Sequence, residues 1–212
     1  MTALFAIGCF CTTATADILL TGVFDGPLSG GTPKCIELYV VNDVADLSDY
    51  GVGSANNGGG SDGEEFTLSG SATAGDYLYV ASESTGFNNF FGFNPNYTSG
   101  AMSINGDDAI ELFFQGSVID IYGDINTDGS GQDWDYLDGW AYRVDNTGPD
   151  GSTFNLANWT LSGINSNDGE TSNDTAANPW PIGTYSMTAI PEPGSALLIG
   201  LVGLAGLIRR RR

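Results

Sequence analysis

Histidine is absent from this chain of 212 residues, and basic residues are scarce until its last four positions. Without histidine the chain cannot build Ser–His–Asp triads, Cys–His dyads or His-ligated zinc and iron sites. Before the terminal arginines the basic residues are Lys34 and Arg143. Affinity for phosphates and anionic lipid headgroups depends on Lys and Arg, so we expect no nucleic-acid partner.

Cysteine is scarce as well. Cys9 and Cys11 lie in the first apolar segment, which leaves Cys35 alone in the rest of the chain. A lone thiol in an exported protein is either buried or paired between chains. Because Cys35 stands at the head of an alternating strand pattern, we expect a buried structural thiol.

An apolar segment from Ala3 to Cys11 opens the chain, and Ala14-Thr15-Ala16 follows it. Small residues in this spacing are typical of a signal-peptidase site, so residues 1–16 are predicted to be a signal peptide. The basic segment that usually comes first is missing, which leaves open a start codon further upstream. Lipoprotein processing at Cys9 is an alternative, although it leaves the Ala-x-Ala site unexplained.

The end of the chain has three parts in a fixed order. Pro191-Glu192-Pro193 is followed by an uncharged run from Gly194 to Ile208 and then by Arg209, Arg210, Arg211 and Arg212. The apolar run can enter lipid, and clustered arginines are held on the cytoplasmic side. At about 1.5 Å per residue the run reaches roughly 22 Å, against a bilayer core of about 30 Å. We therefore predict a short transmembrane helix within residues 190–212.

This tripartite tail closely resembles the PEP-CTERM sorting signal of Gram-negative bacteria. The resemblance implies that an exosortase-like membrane transpeptidase recognises and removes the tail, in a host that makes extracellular polysaccharide. It also implies transient anchoring in the inner membrane, followed by release to the cell surface or extracellular matrix. The alternative is a permanent anchor, in which Pro191-Glu192-Pro193 would have no role.

The part between signal peptide and tail, residues 17–190, is strongly acidic. It holds 25 acidic residues against two basic ones, a net charge of −23. Such a charge favours solubility and divalent cations. A length of 174 residues is sufficient for one domain with a sizeable core. Glycine-rich, lysine-poor sequence with few helix-favouring runs predicts an all-β fold with long Gly/Asn/Asp-rich loops.

Period-two alternation marks the strands. In Cys35–Val41, Ile36, Leu38 and Val40 fall on one face. Hairpins are predicted for 65–70 with 77–81 and for 109–114 with 118–122. A flexible glycine-rich loop is predicted at 53–63, and an aromatic cover over the core edge at 86–97. Together these features predict an immunoglobulin-like β-sandwich over residues 17–163, followed by a polar linker over 164–189.

Several strand segments resemble blocks of the lamin-tail domain. The blocks occur in the order Ile36-Glu37-Leu38-Tyr39, Asp46–Tyr50, Phe66–Gly70 and Asp107–Leu112. The resemblance implies an immunoglobulin-like sandwich on a secreted or surface protein, a structural and binding module without catalytic residues. Val40-Val41-Asn42-Asp43 stands where that family usually has an Asn-Pro turn.

One loop has the spacing of a calcium site. Asp124, Asn126 and Asp128 alternate, a glycine follows, and Asp135 occupies the twelfth place, where such loops usually carry Glu. Calcium takes six to eight hard oxygens, which closely spaced carboxylates supply. We predict calcium ligation by Asp124, Asn126, Asp128 and Asp135. The alternative is a solvated Asp/Asn/Gly-rich loop that binds nothing.

Three functions are compatible with these features. The first is an exported, non-enzymatic cell-envelope or extracellular-matrix protein sorted through its tail. The second is a calcium-dependent adhesin that binds carbohydrate, including extracellular polysaccharide, through surface aromatic residues. The third is a secreted hydrolase with a carboxylate pair. Because nothing in the sequence marks a carboxylate as desolvated and catalytic, we predict the first function.

Overall fold

The computed structural model describes residues 16–188, so the predicted signal peptide up to residue 15 and the predicted transmembrane tail lie outside the described residues. In this described part of the chain, ten strands form two sheets. They are β1 Ile18–Leu28, β2 Thr32–Val40, β3 Tyr50–Ala55, β4 Phe66–Thr67, β5 Tyr77–Ala81, β6 Tyr97–Thr98, β7 Ala109–Phe114, β8 Ser117–Tyr122, β9 Trp140–Arg143 and β10 Trp159–Leu161. One sheet has the order β10-β9-β1-β2-β5-β6 and the other β4-β3-β7-β8. The predicted all-β sandwich is confirmed.

The main core lies between the two sheets. Ile36, Leu38 and Val40 of β2 face it from the six-stranded sheet, as the alternation predicted. Val52 of β3 and Leu112 of β7 face it from the four-stranded sheet. Branched aliphatic side chains dominate this interior because they pack well on a pleated surface.

The outer face of the six-stranded sheet is buried too. Phe24, Tyr79, Trp140 and Tyr142 alternate with the inner residues of their strands and form a second cluster. A helix, α1 Ser84–Phe91, packs on it through Phe87 and Phe90. The aromatic cover predicted around residues 86–97 is therefore built on an α-helix of eight residues. Within residues 16–188 the structure has no helix with the length and apolar character needed to cross a bilayer.

The segment predicted as a polar linker packs on this outer face instead. We call residues 173–188 the C-terminal strap. Its Trp180 and Tyr185 are each only 1% exposed and belong to the outer cluster. Asn173 brackets Trp180, since its amide donates to the Trp180 carbonyl at 3.0 Å and accepts from the Trp180 N–H at 2.8 Å. The linker prediction is corrected because these aromatic side chains bury apolar surface that a free linker would expose.

Of the two predicted hairpins, one is confirmed and one is wrong. β7 and β8 pair across a turn in which Gln115 and Gly116 both have positive φ, the conformation that matches strand twist. The two strands predicted to pair over 65–70 and 77–81 lie in different sheets, because β4 joins β3 in one sheet and β5 joins β2 in the other. The glycine-rich loop is also packed: a Cβ at Gly58 would collide with the backbone of Thr127 and Asp128.

Candidate functional site

The predicted calcium loop connects β8 to β9 at the edge of the main core. Asp124, Asn126 and Asp128 are exposed, whereas Asp135 is buried. Trp134, just before Asp135, packs into the main core. The loop is therefore anchored at its end and open to solvent at its start.

The three aspartates predicted as ligands each accept hydrogen bonds within their own turns. The Asp124 carboxylate accepts from the Asn126 N–H at 3.0 Å and from the Thr127 hydroxyl at 2.8 Å. Asp128 accepts from the Ser130 N–H at 2.9 Å, which lowers the pKa of this exposed carboxyl. Asp135 accepts from the backbone N–H groups of Gly131 and Leu137 at 2.8 and 3.0 Å.

The three aspartates are not gathered into one cluster. Among the described residues, no three acidic or cysteine side chains lie close enough together to hold a metal ion. The structure therefore places the predicted ligands on one loop without converging them, and calcium binding stays a prediction.

A further carboxylate that the sequence reasoning missed lies against this loop. Asp107 accepts from the Ser130 hydroxyl at 2.8 Å, and its carbonyl accepts from the Gly129 N–H at 3.0 Å. Its second carboxylate oxygen, Oδ1, is buried and has no hydrogen-bond partner among the described residues. No spacing rule links Asp107 to the loop, because the two segments meet only through the β7–β8 hairpin that separates them in sequence.

One buried ion pair joins the two sheets. The Arg143 guanidinium donates to Asp120 at 2.7 Å, to Asp150 at 3.1 Å and to the Leu20 carbonyl at 2.6 Å. It also lies 4.4 Å from the centre of the Trp159 ring. Asp120 accepts from three backbone N–H groups besides. All of these hydrogen bonds have a structural role, because a charge buried away from water is costly unless it is paired and hydrogen-bonded.

Glu37 is buried on the outer face, and its hydrogen-bond donors within residues 16–188 are all neutral. The hydroxyls of Thr21 and Tyr142 donate to its Oε1 at 2.9 and 2.7 Å. The Gly183 N–H of the strap donates to its Oε2 at 2.6 Å. Burial raises the pKa of the Glu37 carboxyl, and these hydrogen bonds oppose that rise. Glu37 thus fastens the strap to the sheet.

The tryptophans do not offer a sugar-stacking surface. Trp134, Trp140, Trp159 and Trp180 are between 1% and 8% exposed, and all four belong to the two cores. A ring must present a face to solvent to stack on a sugar. The adhesin hypothesis depends on surface aromatic residues, and none of these four tryptophans is one.

The predicted sorting residues Pro191, Glu192, Pro193 and Arg209–Arg212 lie outside the described residues. The strap leads directly to them. The Ser186 N–H donates to Asp145 at 2.8 Å and the Thr188 N–H donates to Asn146 at 2.7 Å. The strap is therefore fastened to the sandwich as far as Thr188, three positions before Pro191.

The comparisons with known proteins identify this end of the chain. Residues 189–212 match the model of the PEP-CTERM protein-sorting motif. No curated protein and no solved structure matches the chain, so the likeness to lamin-tail domains stays a prediction. The chain carries a PEP-CTERM protein-sorting motif, which indicates an exported, membrane-transiting protein that an exosortase-like processing enzyme recognises.

Proposed function

We propose that this protein is a non-enzymatic component of the cell envelope or extracellular matrix of a Gram-negative bacterium. The sandwich is its structural part, and the tail directs it to a transpeptidase that cleaves the chain near Ile190 or within the Pro-Glu-Pro segment. The observation that carries this proposal is the sorting motif at residues 189–212.

The use of the buried carboxylates supports a structural role. Asp120 is held by Arg143 and by backbone N–H groups. Asp25 accepts from Lys34 at 2.6 Å and from the Gly106 N–H at 3.1 Å. Glu37 fastens the strap. A general acid or base needs a carboxyl that can reach a substrate, and these three face the interior of the protein.

The arrangement of the family-like blocks supports a lamin-tail type of sandwich. The Ile36–Tyr39 block lies in β2, and the Asp107–Leu112 block enters β7 in the opposite sheet. These two blocks therefore provide facing halves of the main core. A binding module of this kind acts through its surface and loops, and its core serves only stability.

Removal of the tail is the prediction that tests the proposed function. In a host with an exosortase, the intact mass of the mature protein should correspond to a chain that ends near Ile190 or within Pro191-Glu192-Pro193. A triple variant, Pro191→Ala with Glu192→Ala and Pro193→Ala, should keep its full tail in the same host. A host without the enzyme should give the same result for the unmodified chain.

Protein that still carries Arg209–Arg212 in the exosortase-positive host would contradict the proposal. It would support the permanent anchor instead, because a short apolar span with flanking arginines is sufficient for that role.

A further inference from the structure

The strap is hydrogen-bonded to the sandwich from Gly183 to Thr188. The Tyr142 hydroxyl accepts from the N–H groups of Thr184 and Tyr185 at 3.0 and 2.9 Å. The Tyr77 hydroxyl donates to the Tyr185 carbonyl at 2.5 Å. These bonds lie between the Glu37 contact at Gly183 and the Asn146 contact at Thr188. The strap therefore ends at a fixed point on the surface.

This fixed point limits how far the domain can move from the apolar run that begins at Gly194. Five residues, 189–193, separate Thr188 from Gly194. At no more than about 3.5 Å per residue, this segment spans at most about 20 Å. A free linker beginning at Ile164 would have spanned up to about 100 Å. Packing of the strap thus shortens the tether about fivefold.

The strap finishes at one end of the sandwich. Tyr185 lies beside Tyr39 and Tyr77, at the end of β2 and the start of β5. We call this the strap end; the exposed turn at Ala74 belongs to it, because Gly75 bonds to Val40. The β1–β2 turn at Ser29 lies at the other end, since β1 and β2 run the length of the sheet between them. Strands of this length separate the two ends by about 30 Å.

Among the described residues, the strap end has no free basic side chain that could attract anionic lipid. The acidic residues there are Asp17, Asp43, Asp76 and Asp145. Lys34 pairs with Asp25 toward the other end, and the Arg143 side chain is buried. Anionic headgroups would repel such a surface. Any orientation at the membrane must therefore come from the tether.

We propose that, until the tail is removed, the strap holds the sandwich end-on at the bilayer, with the strap end toward the lipid and within about 20 Å of it. The partner of this surface is the membrane itself, and the processing enzyme meets a short tether with a folded domain directly behind it. This inference rests on the proposed function together with the transmembrane helix predicted within residues 190–212.

Fluorescence quenching by lipid headgroups tests the orientation. The full chain, with Cys9→Ser and Cys11→Ser, carries a thiol-linked fluorophore at either Ala74→Cys or Ser29→Cys; Cys35 is buried and stays in place. Both labelled positions are exposed. The protein is reconstituted into phosphatidylcholine vesicles that contain a nitroxide-headgroup lipid. We expect the fluorophore at residue 74 to be quenched at least twofold more strongly than the one at residue 29.

The matched control lengthens the tether without touching the domain. A Gly/Ser segment of 24 residues inserted between Thr188 and Ala189 adds an average reach of about 27 Å, close to the length of the sandwich. The difference between the two labels should then disappear.

Equal quenching at the two positions in the original chain would overturn the inference, and so would a difference that survives the insertion. Flotation of the vesicles is measured first. A chain that floats with the lipid supports the membrane step of the proposed function, so a later failure concerns the strap alone. A chain that does not float contradicts both.

Discussion

The two faces of the six-stranded sheet are both buried, but they are built from different side chains. The inner face carries Ile36, Leu38 and Val80, which pack against a second sheet. The outer face carries aromatic residues such as Phe24 and Trp140, covered by α1 and the strap. On the inner side, Arg143 of this sheet pairs with the buried carboxylate of Asp120 in the opposite sheet, whereas Glu37 on the outer face has neutral donors.

This difference follows from what covers each face. A second sheet offers a regular pleated surface, which short branched side chains fill efficiently. A helix and an irregular strap leave uneven gaps, which large aromatic rings fill with fewer residues. The outer layer is therefore held by a few large contacts, and loss of one of them should have a local effect.

The largest expected effect comes from Trp180→Ala in the strap. Its ring lies 5.3 Å from that of Phe24 and 5.5 Å from that of Phe91, between sheet and helix. Removal of a buried tryptophan costs about 3–5 kcal/mol. We expect hydrogen exchange to accelerate in the strap and α1 before the sandwich strands are affected, as measured by mass spectrometry.

Leu38→Ala on the inner face is the matched control. A buried leucine costs about 2–5 kcal/mol on truncation, a similar loss of stability. Because Leu38 lies between the sheets, exchange should accelerate throughout both sheets together. A Trp180→Ala protein with the same uniform pattern would show that the two layers unfold as one unit.

The sequence was sufficient to predict the inner face but not the outer one. The alternation in β2 placed Ile36, Leu38 and Val40 inward, and this pattern depends on neighbours in sequence alone. The strap contact between Glu37 and Gly183 joins residues 146 positions apart, in a stretch without periodicity. Such a contact leaves no local signal.

The helix was missed for a related reason. Ser84–Phe91 contains glycine and two asparagines, which are poor helix formers. It forms because Glu83 caps its start by accepting from the Gly86 N–H, and Gly92 ends it in the left-handed conformation. Burial of Phe87 and Phe90 against the outer face then outweighs the weak propensity. Only the fold provides that partner.

Stabilisation by calcium is expected to be a smaller effect, and it should distinguish the main core from the outer layer. If the Asp124–Asp135 loop binds calcium only in the folded state, mass action stabilises the fold by about 2.7 kcal/mol at a hundredfold excess over the dissociation constant. Trp134 anchors this loop in the main core. Calcium should therefore raise the melting temperature and slow exchange in β7 and β8, with little change in the strap.

Magnesium at the same ionic strength is the first control, since it keeps its water and should shift melting less. The second is Asp124→Asn with Asp128→Asn, which leaves most of the negative charge in place. Equal shifts from both cations, or a calcium shift that persists in the double variant, would favour the solvated loop.

The site was less predictable than the fold. The spacing of Asp124, Asn126 and Asp128 correctly predicted that these three residues lie on one loop, because a local pattern is sufficient for that. Convergence of ligands depends on tertiary contacts, and the spacing rule gave no information on Asp107, which contacts the loop through Ser130. In addition, backbone N–H groups of each turn donate hydrogen bonds to the carboxylate oxygens, so they compete with a calcium ion for these oxygens.

The smallest effect concerns the buried carboxyl of the outer face. Glu37→Gln keeps the shape but places an amide N–H₂ where Glu37 accepted hydrogen bonds, at a cost of about 1–3 kcal/mol. Burial holds the pKa of Glu37 above 4.5, the value for an exposed glutamate. Between 4.5 and the raised pKa the folded state binds more protons than the unfolded state, so the contribution of Glu37 to stability is lost as pH rises through that window.

Glutamine does not titrate, so the gap in the free energy of unfolding between the original chain and Glu37→Gln should narrow as pH rises from about 4.5 toward 8. Asp46→Asn is the control of opposite sign. The pKa of exposed Asp46 lies below 3.8, because its carboxylate accepts a hydrogen bond from the Ser48 N–H. The stability that Asp46 contributes is present above pH 3.8 and is lost as pH falls. The difference in the free energy of unfolding between the original chain and Asp46→Asn should therefore widen as pH rises from about 2 to 4. Urea unfolding at each pH measures both gaps. A Glu37→Gln gap that widens with pH would mean that Thr21, Tyr142 and Gly183 outweigh burial and keep Glu37 ionised.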